Sequence, residues 1–286
     1  MPEPFAARFA AARSKHGPLV LGADPSGPLL TAWGIADNAD GLERFTDIVL
    51  AAAAGTVGLI KPQSAFYERH GWAGIRALSR LLAGASSAGL LTILDVKRGD
   101  VGSTNASYAE AYLGSGAPLA ADAITVHPYL GVAAMGSFVR RAHEAGGCLL
   151  IVTRSSNPEG SVVQGAVAGD GGTVDQLLLR QIGQLNATLA PGEVGPVGAV
   201  IGPVARSPAL DLPAAGALFL APGVGAQGAT VADVAGIFAA CPDRVMPSAS
   251  RSLLAAGPGV PELRAATASL AAEFRAALPG PAAASA

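Results

Sequence analysis

The feature that most constrains this chain is an alternation that recurs along nearly its whole length. A short apolar run is followed by a loop rich in Gly, Pro and Asp, then by an Ala- and Leu-rich helical stretch. Eight apolar runs read as strands, at 18–23, 57–61, 90–96, 121–126, 148–152, 197–201, 217–220 and 244–246. Helical stretches separate most of them, for example 42–54, 72–88, 174–189 and 231–240. A last helix is expected at 261–278, with Pro261 in its first turn. Strands alternating with helices predict an α/β fold with a parallel sheet. Eight units in a chain of 286 residues fit a closed (β/α)8 TIM barrel better than an open, doubly wound sheet. The expectation is one domain over residues 1–278 that begins with a short amphipathic helix. The low-complexity tail, 279–286, is expected to be disordered.

Composition excludes several function classes. Half of the residues are hydrophobic, enough for a sizeable core, and a net charge of −2 offers no basic footprint for nucleic acid. No run reaches the roughly 18 apolar residues of a membrane span. The N-terminal stretch lacks the apolar centre of a secretory signal. Cys148 and Cys241 lie far apart and fit no metal-ligand spacing. A reducing, cytoplasmic location is therefore expected.

The basic residues are informative. Three lysines (Lys15, Lys61 and Lys97) stand against sixteen arginines. Lysine can give up a proton, whereas arginine effectively cannot. Lys15 falls in the first helix and reads as a solvated surface residue. Lys61 and Lys97 fall at predicted strand ends. Around Lys97 the sequence is Leu94-Asp95-Val96-Lys97-Arg98-Gly99-Asp100. Side chains alternate across a strand, so Ile93, Asp95 and Lys97 face one way and Leu94 and Val96 the other. Asp95 and Lys97 thus share a space, and Asp100 in the following turn is free to join it or leave it. Such an array is a candidate for proton transfer. The plainer alternative is a structural ion pair with Asp100 capping the next helix.

In a TIM barrel the catalytic residues sit at the C-terminal strand ends. Asp24, Lys61, the Asp95–Asp100 array, His127, Ser155, Ser156, Gln227 and Arg251 all fall on that rim. This concentration favours catalysis over a purely structural role. Gly223-Val224-Gly225-Ala226-Gln227-Gly228 matches the dinucleotide fingerprint G-x-G-x-x-G, but lies in the seventh unit rather than the first. It reads better as a phosphate loop. Its glycines, Gly225 among them, let backbone N–H groups approach an anion, with Gln227 as a further donor. Arg251, after the eighth strand, supplies a guanidinium fork. A tight turn and a surface arginine are the alternative. The segment 157–173 is long, polar and Gly-rich and reads as a lid, with Gln164 a candidate ligand contact.

With these residues in view, the chain resembles orotidine 5'-phosphate decarboxylases, most of all the longer bacterial subgroup (type 2). The matching segments are LIKPQSAFYE around Lys61, LDVKRGDVGST from Leu94, RSSNPEG around Ser156, APGVGAQG around Gln227 and SRSLL around Arg251. The resemblance implies decarboxylation of orotidine 5'-phosphate to uridine 5'-phosphate, the last step of de novo UMP synthesis, with no cofactor and no metal. It implies that Lys97 protonates C6, that Lys61 and Asp95 hold Lys97, and that Asp100 and Thr104 enter from the neighbouring subunit of a homodimer. Asp24 would contact the ribose, Ser156 rather than Ser155 the pyrimidine edge, and Gln227 and Arg251 the phosphate. The Asp-x-Lys-x-x-Asp core alone is shared with related barrels. The rival reading is therefore a magnesium-dependent keto-sugar-phosphate decarboxylase or aldolase, and a third is a catalytically dead nucleotide-binding barrel.

Overall fold

The computed structural model describes residues 2–204 and 209–280. The eight expected strands are present as β1 (Val20–Ala23), β2 (Leu59–Pro62), β3 (Leu91–Arg98), β4 (Ala123–Val126), β5 (Cys148–Arg154), β6 (Val197–Ile201), β7 (Phe219–Pro222) and β8 (Val245–Ala249). They close in chain order into one barrel, and β1 pairs in parallel with both β2 and β8. The expected single-domain (β/α)8 barrel is what the chain forms.

Alternation along each strand builds two apolar layers. Val20, Leu59, Ile93, Ala123, Leu150, Leu220 and Met246 point into the lumen. Their neighbours Leu21, Ile60, Leu94, Ile124 and Leu149 point outward against the helices. The parity expected for β3 therefore holds, with Ile93 inward and Leu94 and Val96 outward. The first helix, Phe5–His16, does more than cover a surface. Phe5 and Phe9 are each 1% exposed and belong to the lumen layer, so this helix plugs the barrel's lower end. Lys15 on the same helix is exposed, as expected.

The surrounding helices start where local chemistry lets them. Asn38 accepts the Gly41 N–H and caps Ala39–Ala53. Thr173 and Gln176 form a reciprocal capping box for Val174–Leu189. Pro261 lies in the first turn of Val260–Ala277. The helix expected at 231–240 ends earlier, at Ile237. The Cys241-Pro242 pair that follows disfavours helical geometry. Segment 157–173 is more ordered than a plain loop. It holds a short turn at Pro158–Gly160, a helix at Ser161–Gln164 and a bridge between Val167 and Thr173. Of the tail, Pro279 and Gly280 are described, and 281–286 lie outside the described residues. Among the described residues no helix is long and apolar enough to cross a membrane.

One irregularity positions the site. Leu94 pairs with Ile124, but the next partners are Arg98 and Val126. β3 therefore fits two more residues than β4 into the same length. The three residues Asp95 to Lys97 stand opposite Thr125 alone and bulge at the upper rim, as bulges beside active sites do.

Candidate active site

The upper rim encloses a cavity of about 290 Å³. Asp24 from the end of β1, Lys61 of β2, Asp95 and Lys97 of β3, Ser155 and Ser156 after β5, Gln227 after β7 and Arg251 after β8 all line it. A larger hollow of about 450 Å³ lies at the opposite face beside the first helix, but it contains no lysine–carboxylate array.

Asp95 is the centre of the array. Its side chain is 8% exposed. Oδ2 accepts Lys61 Nζ at 3.1 Å, and Oδ1 accepts both Lys97 Nζ and the Thr125 hydroxyl, the latter at 2.7 Å. Burial alone would raise the Asp95 pKa. The Lys61 and Lys97 charges and the bonds from Lys97 and Thr125 outweigh it, holding the carboxyl well below its ordinary range. Burial likewise pulls the Lys61 pKa down, but the charges of Asp95 and then Asp24 prevail and raise it. Both groups stay ionised at neutral pH. The Lys61 side chain is 6% exposed and the Lys97 side chain 39%, so Lys61 is locked within the wall while Lys97 opens to the cavity. His127, beyond β4, has its pKa lowered by burial and by Lys97, against Asp95, and does not line the cavity.

The other end of the cavity carries a cation and a glycine loop. Arg251 has no ion pair among the described residues. Gly223 has φ +94°, and a Cβ there would sit 2.4 Å from Gln227 Oε1, so the loop needs glycine at this point. Gly225 plays a different part from the one expected. Its N–H is spent on the Ala229 carbonyl at 2.8 Å and it does not line the cavity. Ser156 Oγ donates to Gln227 Oε1 at 2.5 Å, linking the β5 loop to the β7 loop. Ser155 is engaged differently. Gln164 accepts its N–H at 3.0 Å and donates to its hydroxyl at 2.8 Å, so Gln164 clasps Ser155 instead of reaching into the cavity.

Asp100 and Thr104 do not join the array within this chain. Asp100 Oδ1 accepts the Val101 N–H at 2.6 Å, ahead of the helix Gly102–Leu113 that carries Thr104. Neither residue lines the cavity. Asp24 does, and its Oδ1 is buried without a hydrogen-bond partner among the described residues.

Several lining residues carried no readable signal in the sequence. Thr125, Gln63, Ser248 and Ser250 are common polar types with no distinctive spacing, and Val152, Val200 and Leu220 form an apolar wall that the sequence shows only as strand. Gln63 is the nearest to being legible, because it directly follows Lys61-Pro62. It accepts from Lys97 Nζ at 3.5 Å.

The cavity thus combines two carboxylates with three cations, an apolar wall and a glycine loop beside an unpaired arginine. A small anionic ligand with one apolar face fits this combination. Residues 17–266 match the model of the family described as "Orotidine 5'-phosphate decarboxylase / HUMPS family". The chain belongs to this family. It is 46% identical to the orotidine 5'-phosphate decarboxylase of Salinispora arenicola, over 97% of this chain and 99% of that one. It is 45% identical to the corresponding protein of Streptomyces coelicolor, over 96% and 99% of the two chains. A crystal structure from Streptomyces avermitilis, provisionally described as an orotidine 5'-phosphate decarboxylase, superposes with a TM-score of 0.92 at 44% identity and covers 96% of each chain. These bacterial relatives match almost end to end, in keeping with the expected subgroup.

Proposed function

We propose that this chain converts orotidine 5'-phosphate to uridine 5'-phosphate and carbon dioxide without metal or organic cofactor, the last step of de novo UMP synthesis. The observation that carries the reading is the Lys61–Asp95–Lys97 array opening onto the same cavity as Arg251 and Gln227. In the proposed reaction the bond from C6 to the carboxylate breaks. Carbon dioxide leaves, and the electron pair remains on C6. Lys97 Nζ stabilises that charge as a fixed ammonium and then donates its proton to C6. Asp95 stays ionised and holds Lys97 in place, and Lys61 keeps Asp95 in position from within the wall. The negative charge of Asp95 beside the substrate carboxylate adds ground-state repulsion.

Arg251 and Gln227 take the phosphate, and binding there, remote from C6, favours lid closure. Asp24 Oδ1 is assigned a ribose hydroxyl, because it is buried and lacks a partner. Ser156 is assigned the pyrimidine edge. Its hydroxyl already meets Gln227, whereas that of Ser155 is held by Gln164.

The proposed functional unit is a homodimer in which Asp100 and Thr104 complete the partner's array. Two observations support it. Neither residue reaches the cavity of its own chain, and beside them Val101, Tyr129 and Leu130 are 55%, 88% and 52% exposed. Asn105, next to Thr104, donates to both the Asp100 and Ala134 carbonyls, which ties these two loops into one face. A cytoplasmic location is proposed on the two free, buried cysteines.

Absorbance of orotidine 5'-phosphate, followed with purified protein in excess EDTA, tests the reading. Loss of the orotate band with uridine 5'-phosphate as product is expected. Turnover of a keto-sugar phosphate that needs magnesium, with no change in the orotate band, would replace the proposal by its rival.

A further inference from the structure

Thr125 has no part in the assignments above, yet it contacts the array at two points. The residue is 1% exposed in β4. Its hydroxyl oxygen accepts the Lys97 backbone N–H at 3.0 Å, and the hydroxyl donates to Asp95 Oδ1 at 2.7 Å. A hydroxyl has one proton. The amide donates into the oxygen, so that proton goes to the carboxylate, and the direction of both bonds is fixed.

Lys97 is also where the backbone is under tension. Among the described residues it is the one non-glycine with positive φ, at 44°. A side chain with a Cβ resists this left-handed conformation. Such a conformation persists only where the surroundings enforce it. Here it lies within the β3 surplus, where Leu94 faces Ile124 and Arg98 faces Val126. Thr125 is the residue of β4 between those two partners, so its hydroxyl meets the bulge at its strained residue.

From this geometry we infer that Thr125 is the positioning residue of the array. It holds the Lys97 backbone in the left-handed turn and the Asp95 carboxylate in one orientation, so that the Lys97 ammonium stays over the cavity. Without the hydroxyl, the Lys97 amide loses its acceptor and Asp95 loses one of its three donor groups. The backbone at 97 then relaxes, and Nζ moves off its line to the reacting atom. The kinetic part of this inference rests on the decarboxylase reading; the conformational part does not.

Thr125→Val keeps the shape and removes the hydroxyl, and Thr125→Ser keeps the hydroxyl. In Thr125→Val, kcat for orotidine 5'-phosphate is expected to fall by roughly 10- to 100-fold, the scale of an ångström-sized misplacement. KM should stay close to the unsubstituted value, because the phosphate end is untouched, and Thr125→Ser should recover most of the loss. An unchanged kcat in Thr125→Val, or an equal loss in both variants, would overturn the inference. A crystal structure of Thr125→Val decides the matter whatever the substrate proves to be. Residue 97 should leave positive φ and Lys97 Nζ should part from Asp95, and retention of both refutes the role. Should Thr125→Val fail to fold, amide exchange in the unsubstituted protein remains. A protected Lys97 N–H is expected, and a freely exchanging one contradicts the bond to Thr125.

Discussion

Two aspartates at opposite ends of the barrel are built from nearly the same parts. At the lower end Asp122 accepts Arg8 Nη1 through Oδ1, and through Oδ2 the Thr92 N–H at 2.8 Å and the Thr92 hydroxyl at 2.9 Å. That hydroxyl in turn accepts the Asp122 N–H at 3.0 Å. At the upper end Asp95 likewise takes a cation and a threonine from a neighbouring strand, and the threonine again accepts a backbone N–H. The difference lies in the cations. An arginine is not a proton donor in catalysis, and Arg8 Nη2 is tied to the Gly146 carbonyl at 2.8 Å. Asp95 has two lysines, and one of them faces the cavity. The lower cluster uses its charge to join a helix to two strands. The upper one has a cation to spare, and a spare ammonium can act on a ligand.

The largest test of this contrast is Lys97→Ala. Turnover should drop by at least about a thousandfold, since general acid catalysis and electrostatic stabilisation are lost together. Binding of uridine 5'-phosphate and the melting temperature should hardly change; retained turnover would remove the proposed acid. Next come Asp95→Asn and Asp122→Asn, compared in urea. Asp95→Asn leaves Lys61 buried beside a neutral amide and should cost about 3–5 kcal/mol, with loss of turnover. Asp122→Asn should cost about 1–3 kcal/mol and leave kcat intact. Equal costs, or a kcat that follows Asp122, would erase the distinction.

The smallest effect is in pH. The folded pKa of Asp95 is depressed, so its contribution is complete above the unfolded carboxyl value near 3.9 and fades as pH falls towards the folded value. The stability gap between the unsubstituted protein and Asp95→Asn should therefore be flat from neutral pH to about pH 5 and narrow by on the order of 2 kcal/mol in more acid solution. A gap independent of pH down to the acid limit would mean that Asp95 is not held ionised by its lysines.

Much of this architecture is legible in the sequence, because the signals are periodic. Alternation of apolar runs with helices specifies the barrel, and strand parity places Asp95 and Lys97 on one side. What is not legible depends on register. Thr125 reaches Lys97 only because β3 carries two surplus residues there, and no local pattern announces such a slip. Gly225 shows the same limit. Its motif suggests an anion contact, but the turn it makes spends its N–H on Ala229. The place of Gln164 in the long polar segment 157–173 suggests a ligand contact, but the short helix at Ser161–Gln164 aims it at Ser155 instead. Phe5 and Phe9 fall in a stretch that the sequence shows only as a short amphipathic helix. That they occupy the lumen follows from strands far along the chain.

That first helix is also fastened to the last. Arg13 donates to the Leu278 carbonyl at 2.6 Å and to the Pro242 carbonyl at 3.2 Å. The earliest helix in the chain thus finds the last of its anchors 265 residues beyond Arg13. Closing so long a loop comes late and is slow, because its entropy must be met before the contact gives anything back. Until then Phe5 and Phe9 have only part of their final surroundings. The expected folding sequence is a barrel assembled first with its floor loosely seated, then clasped shut by its own two ends.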